Sequence, residues 1–276
     1  MTDRPVSIVS GAASGIGRHM AQALHRAGHR LVLVDIDEAG LERTAALGGF
    51  ERDSAVWQRP LDVRDAAGWQ ETADGTVQRF GHVDYLFNIA GYLRPGNVHE
   101  MSPEAFALHL DVNAKGVMFA TRAVTPLMIA RGSGHVLNVA SIAGLSHVPG
   151  LSAYCASKHA VRGFSLAIAH ELRPHGVHVT VLCPDAVETP MLTLQEAYPE
   201  AAMTFGAGRG LTLAEVESAV FRAMRDRPLE LVLEVPGSGR ALGAKLSNLF
   251  PSLTTMFASL IIRKGKAVQR ERRRET

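Results

Sequence analysis

A doubly wound α/β domain, with a mostly parallel sheet covered by helices on both faces, is the fold that this sequence of 276 residues predicts. Short runs that are apolar on both faces alternate with helix-patterned stretches from the start to about residue 185. The connections between those runs are helix-length, as right-handed parallel crossovers require. A glycine-rich string also separates the first run from the first helical pattern, a position where strand and helix meet around a ligand.

The elements follow in order. Residues 6–11, VSIVSG, read as a buried strand ending in Gly11. In 16–28, Ile16, Met20, Ala23, Leu24 and Ala27 share one helical face, and Gly28 is a stop signal. RLVLVDID (30–37) is the second strand and 38–47 the second helix. Strands are expected at 55–62, 83–91, 134–141 and 178–184, with helices between them that include 103–130 and 154–173. Residues 186–213 have no clear period and are rich in Thr, Met, Ala and Gly, which suits a mobile substrate lid at the carboxyl ends of the strands. A helix at 212–226 and a strand at 229–236 restore the rhythm. The catalytic domain is therefore placed at 1–240 and a C-terminal extension at 241–276.

Composition narrows the class. A hydrophobic share of 46% describes a globular protein with a sizeable core, neither disordered nor a membrane bundle. With 29 basic against 27 acidic residues there is no global reason to expect nucleic acid. Two cysteines, Cys155 and Cys183, are too few for a disulfide scaffold, and the start of the chain has no secretory pattern, so a cytoplasmic protein with free thiols is expected. No apolar run reaches the ~18 residues of a spanning helix, and no metal site is expected.

In the extension, apolar residues fall at 246, 249, 250, 253, 256, 257, 260 and 261, broken only by Pro251. The last fourteen residues then carry seven Lys or Arg and two Glu. Two readings fit an amphipathic helix with a basic tail. It packs on its own domain or across a dimer with the tail frayed, which is the commoner use of such a face, or it makes peripheral contact with a membrane.

The string SGAASGIG (10–17) combines Gly11 for a tight turn, Gly15 for close backbone approach and Gly17 for helix packing. Ser14 and Ile16 complete the loop, and the helix N-terminus that follows offers N–H groups to a pyrophosphate. Asp35 ends the second strand, where a carboxylate accepts from adenosine ribose hydroxyls and repels a 2′-phosphate. Neither Ser14 nor Ile36 supplies a compensating cation, so NAD is expected over NADP; Arg18, one position past the loop, is the residue that argues the other way.

Further along, YCASK (154–158) places Tyr154 and Lys158 four positions apart, on one face of a helix. A phenol titrates near ~10, too high for a base at neutral pH, and a neighbouring ammonium favours its ionised form. Ser141 ends the strand 134–141, where its hydroxyl can hold a substrate oxygen.

With SGAASGIG, LDV (61–63), NIAG (88–91), Asn113, Ser141 and YCASK in this order, the chain resembles the one-domain branch of the short-chain dehydrogenase/reductase family over roughly residues 5–190. The resemblance implies a Rossmann-like fold and an NAD(P)-dependent oxidoreductase acting on an alcohol or carbonyl. It assigns Tyr154 as acid/base, Lys158 as the group that lowers its pKa and holds the nicotinamide ribose, Ser141 as the substrate-oxygen donor, and Asn113 as a helix kink that supports a proton relay. It also implies that Asp62 and Val63 line the adenine pocket and that Asn88, Ala90 and Gly91 stabilise the sheet and border the cofactor. In CPDAVETP (183–190), Pro184, Val187 and Thr189 match residues of the nicotinamide end. Two departures stand out: Ile89 where a second Asn is usual, and Asp185 where Gly is usual. Such proteins form homodimers or homotetramers, and here the long C-terminus favours the dimer.

The positions after the strand ends predict the substrate wall. Tyr92, Leu93, Met191 and Leu192 are apolar or amphipathic, and His147 could bond a polar substituent. The expected reaction is hydride transfer between NAD and a hydrophobic secondary alcohol or ketone, such as a steroid, a long-chain acyl derivative or a polyketide-like ring. The alternatives are a 3-oxoacyl reductase and a catalytically silent protein that senses the nucleotide or scaffolds a membrane.

Overall fold

The computed structural model describes residues 4–275, the side chains of 253–258 and 275 excepted. Seven strands, β1 (Val6–Ser10), β2 (Arg30–Asp35), β3 (Val56–Pro60), β4 (Tyr85–Asn88), β5 (Gly134–Val139), β6 (Val177–Pro184) and β7 (Glu230–Leu233), form one parallel sheet in the order β3-β2-β1-β4-β5-β6-β7. The chain winds outward from β1 in one direction and then restarts at β4 in the other. A crevice therefore opens beyond the carboxyl ends of β1 and β4.

Period-2 alternation explains why the strands are apolar on both faces. Val9, Leu31 and Leu33 turn to one layer, packing on Met20 and Leu24 of α1 (Gly15–Arg26), Leu41 of α2 (Glu38–Gly48) and the later helix that carries Val220. Ile8, Val32 and Val34 turn to the other, against Trp69 of α3 (Ala66–Phe80) and against Val124 and Met128 further along. Each fully buried large side chain contributes about 1.5–3 kcal/mol, so both layers stabilise the sheet that holds the site. Helix starts are marked in the sequence: Asp37 accepts from Gly40 N and Asp65 from Ala67 N and Gly68 N.

Three expectations are corrected by the structure. The helix expected at 103–130 is broken into α4 (Pro103–Leu110), a π-helical turn at Asp111–Lys115 and α5 (Gly116–Arg131). The buried amide of Asn113 lies in that turn, where its side chain bonds outside its own helix. The strand expected at 83–91 stops at Asn88, because Ile89 N and Ala90 N turn to donate to Ser10 Oγ at 3.0 and 3.2 Å.

Segment 186–213, where the sequence shows no clear period, carries regular structure. It contains α7 (Pro190–Glu196) and a 3-10 helix at Pro199–Ala207, and its two ends are tied where Leu211 N donates to Ala186 O and Glu188 N to Leu211 O. Its burial is shared among several elements and its long turn has a three-residue period, so no 3.6-residue stripe exists in the sequence. After α6 (Ser152–Leu172) and α8 (Leu213–Asp226), the chain ends in α9 (Arg240–Leu249) and α10 (Pro251–Glu275).

The basic end of α10 does not fray. Gly265 packs so closely on the Ala202 carbonyl that a Cβ there would lie 1.8 Å from its oxygen, and Gln269 Nε2 donates to Gln195 O at 2.9 Å and Tyr198 O at 2.7 Å. The helix thus docks on 186–213 through a small and polar face, while Leu246, Leu249, Phe250, Leu260 and Ile261 of the apolar stripe stay exposed. Leu253, Met256 and Phe257 lie outside the described side chains. Among the described residues no helix is long and apolar enough to cross a membrane.

Candidate active site

A cavity of about 490 Å³ runs along the carboxyl ends of the strands, from Gly11 and Asp35 at one end to Tyr154, Met191 and Arg240 at the other. At its first end the loop after β1 is shaped by glycine. Gly11 has φ +70°, and a Cβ there would lie 2.8 Å from the Ala90 backbone; a Cβ on Gly17 would lie 2.0 Å from the Gly11 carbonyl oxygen. Gly15, also at positive φ, starts α1, which has no acidic residue in its first turn and no side-chain cap from Ser14. Ser14, Gly15, Ile16 and Gly17 line the cavity, so a helix N-terminus with unclaimed N–H groups borders it. These features fit a dinucleotide pyrophosphate.

Asp35 stands beside this cradle, with Oδ2 accepting from Ala13 N at 2.9 Å and Oδ1 from Asp37 N at 3.0 Å. Ile36 is 69% exposed and lines the cavity next to it. Arg18 does not reach this place: its Nε donates to Thr44 Oγ1 at 3.1 Å and its Nη2 to the Ala13 carbonyl. Asp62 and Val63 line the same end, and Arg64 clasps the Asp62 carboxylate, with Nε–Oδ2 at 2.9 Å, holding its pKa down.

At the other end Ser141, Tyr154 and Lys158 share the wall. Ser141 starts the 3-10 turn Ile142–Gly144; its Oγ accepts from Ala143 N at 3.1 Å and faces Pro184 O at 3.4 Å. Tyr154 and Lys158 come from the first turns of α6, the ammonium 5.6 Å from the phenol ring centre and donating to Val139 O at 2.8 Å. Burial pushes the Tyr154 phenol up to about 12, with the Ser141 hydroxyl partly countering it through hydrogen bonding, and burial pulls Lys158 down to about 8. Desolvation of the ring is the largest influence on the phenol here.

Asn113 lies behind this group. Its Oδ1 accepts from Tyr92 N at 2.6 Å, and its Nδ2 donates to Tyr92 O and Ser157 Oγ, both at 2.9 Å. Ser157 in turn donates to Tyr154 O at 2.8 Å, so the π-turn is tied to the helix of Tyr154. A Cβ on Gly91 would sit 3.4 Å from Asn113 Oδ1 and 3.7 Å from Lys158 Nζ.

Of the other expected residues, Ala90, Gly91, Pro184, Val187 and Thr189 line the cavity, as do Tyr92, Leu93, Met191 and Leu192. Asn88 and His147 do not. Asn88 is buried within the sheet, donating to Asn138 Oδ1 at 2.8 Å. His147 is exposed with its ring stacked toward His159, because the turn after Ile142 directs Leu145 and Val148 inward and leaves His147 outside.

Sequence reasoning missed the polar side of this end of the cavity, where Gln195, Thr204 and Arg240 line it beside Asp185. Asp185 itself was a signal, since a carboxylate in an apolar strand end needs a cation, but nothing local points to Arg240.

The family model described as short chain dehydrogenase matches residues 5–199. Oxidoreductase UcpA of Salmonella typhimurium is 37% identical over 187 residues, covering 67% of this chain and 70% of that protein. Among solved structures, a short chain dehydrogenase/reductase from Burkholderia phymatum in complex with NAD superposes with a TM-score of 0.80 at 29% identity, covering 91% of this chain and 95% of that one. A single-residue variant of actinorhodin polyketide ketoreductase with NADPH superposes with a TM-score of 0.77 at 32% identity, covering 87% and 98%.

Proposed function

The chain belongs to the short-chain dehydrogenase family, an oxidoreductase family, and we propose that it transfers hydride between NAD and a secondary alcohol or ketone on a hydrophobic frame. The observation that carries this reading is the continuous cavity that joins the glycine cradle to Ser141, Tyr154 and Lys158.

A nicotinamide dinucleotide lying along that cavity supplies the hydride acceptor or donor. Gly11, Ser14, Gly15, Ile16 and Gly17 hold its pyrophosphate, Asp35 the adenosine ribose, Asp62 and Val63 the adenine, and Ala90, Gly91, Pro184, Val187 and Thr189 the nicotinamide half. Preference for NAD is supported by the Asp35 carboxylate and by Arg18 being turned away from it.

Ser141 Oγ donates to the substrate oxygen. In reduction, the Tyr154 hydroxyl gives its proton to that oxygen; in oxidation, its phenolate takes the proton from the carbinol. Burial raises the phenol to about 12, so Tyr154 holds its proton at neutral pH and can give it to the substrate oxygen in reduction. For oxidation, Lys158, with a pKa of about 8 and thus mostly charged at pH 7, must stabilise the phenolate. Asn113 positions the loop of Tyr92 against α6. Tyr92, Leu93, Met191 and Leu192 close on the substrate's apolar part.

The test is calorimetric binding of NAD(H) and NADP(H), followed by a screen of apolar secondary alcohols read by absorbance of reduced cofactor. Tyr154→Phe should keep NADH binding and lower turnover by about 10²–10⁴-fold. A protein that takes up neither dinucleotide would overturn the reading.

A further inference from the structure

Asp185 is a buried charge that the mechanism above does not use. Its side chain is 2% exposed, and among the described residues Oδ1 accepts only from the adjacent Ala186 N at 2.8 Å. Oδ2 lies 3.2 Å from Arg240 Nε, an ion-pair distance, yet no hydrogen bond is directed at it. Arg240 opens α9, and its Nη1 donates to Thr204 O at 3.1 Å. Asp185, Thr204 and Arg240 line the same cavity as Tyr154, in a wall that otherwise includes Val148, Leu151, Met191 and Leu192.

A carboxylate oxygen left without a donor is costly in such surroundings, and burial pushes the Asp185 carboxyl up even with Arg240 beside it. An unclaimed acceptor next to a guanidinium complements a group that both donates and accepts. A hydroxyl does both, whereas a carboxylate would suit Arg240 but repel Asp185. The site is also close to the chemistry: Asp185 directly follows Pro184, whose carbonyl faces Ser141 Oγ at 3.4 Å.

We propose that Asp185 and Arg240 form a recognition subsite for a second hydroxyl on the substrate, near the reacting carbinol. The hydroxyl donates to Asp185 Oδ2 and accepts from the Arg240 guanidinium. The substrate class narrows accordingly, from a simple secondary alcohol to a diol or hydroxyketone on an apolar frame; this rests on the oxidoreductase reading above.

The probes are cyclohexanol and the cis and trans isomers of 1,2-cyclohexanediol, compared by kcat/KM with NAD⁺ and by dissociation constant in the NADH complex. The wild type should favour one diol isomer over cyclohexanol by about tenfold to a hundredfold, the range expected for hydrogen bonds to charged groups. Asp185→Gly and Arg240→Met should each bring that ratio close to one.

NADH uptake, followed by its fluorescence, is measured in parallel. Loss of uptake by the wild type would sink the dinucleotide reading itself. Normal uptake with equal treatment of the alcohols, or with binding of none of them, overturns the subsite alone. A ratio that survives both substitutions while thermal stability falls would make the pair a structural latch and also overturns it.

Discussion

The Arg272 guanidinium donates to both carboxylate oxygens of Glu188, Nη1 to Oε1 at 3.1 Å and Nη2 to Oε2 at 2.8 Å, and its Nε reaches Glu196 Oε1 at 2.7 Å. Glu188 Oε1 also accepts from Gly210 N at 2.7 Å. One side chain near the end of the chain therefore ties α10 to Glu188 and Glu196 and, through Glu188, to Gly210, in the segment that borders the cavity.

Arg272→Met should therefore loosen that segment. Glu196 is nearly buried while Glu188 and Arg272 are partly exposed, so a loss of roughly 1–2 kcal/mol is expected. The KM for an alcohol substrate should rise several-fold with a smaller change in kcat, and Arg272→Lys should recover part of it. The Arg272 hydrogen bond also lowers the Glu188 pKa below its ordinary 4.5. That contribution is fully present above pH 4.5 and is lost as pH falls through the lowered value, so acid unfolding should be less steep in the Met variant. Thermal melts across roughly pH 3–6 read this directly; identical acid limbs would contradict it.

Dinucleotide choice should be reversible at two adjacent positions. Asp35 holds backbone amides beside the cradle, and the exposed Ile36 has room for a longer side chain. Asp35→Ser combined with Ile36→Arg removes the like charge and supplies a cation for a 2′-phosphate. The ratio of NADPH to NADH dissociation constants should fall by about tenfold or more. Fluorescence titration of both reduced dinucleotides checks it, and an unchanged ratio would mean that Asp35 does not set the preference.

Lys158 should leave a signature in alkaline stability. Its folded pKa of about 8 lies below the unfolded 10.5, so the unfolded chain binds more protons between those values. The burial penalty is complete below about pH 8 and is relieved as pH rises toward about 10. Lys158→Met removes the charge, so the stability difference, variant minus wild type, should be greatest below about pH 8 and shrink by about pH 10. Denaturant melts at about pH 7 and about pH 9.5 measure it. Tyr154, whose pKa is raised to about 12, resists ionising in the folded state and adds an opposite slope only above about pH 10.

How far the sequence reached follows from what each feature depends on. Gly11, Gly15 and Gly17 were legible because they answer a local backbone need, and the two-sided apolar strands because a sheet covered on both faces demands them. Spacing alone put Tyr154 and Lys158 on one helix turn and Asp35 at a strand end. The order in which the strands assemble, the stop of β4 at Asn88 and the outward turn of His147 were not readable, since each depends on a neighbour distant in the chain.

The same holds for energetics. Whether Tyr154 or Lys158 shifts up or down depends on how much water the finished cleft excludes, a property of the assembled cavity. By itself the sequence determined the doubly wound class, the glycine loop and the placing of Tyr154 and Lys158 on one helix, because these rest on periodicity and local geometry. Tertiary structure alone decided that Arg240 stands beside Asp185, 55 positions earlier, and that Arg272 binds Glu188, 84 positions earlier. A charge in a long flexible side chain has many possible partners in sequence, and only packing selects one.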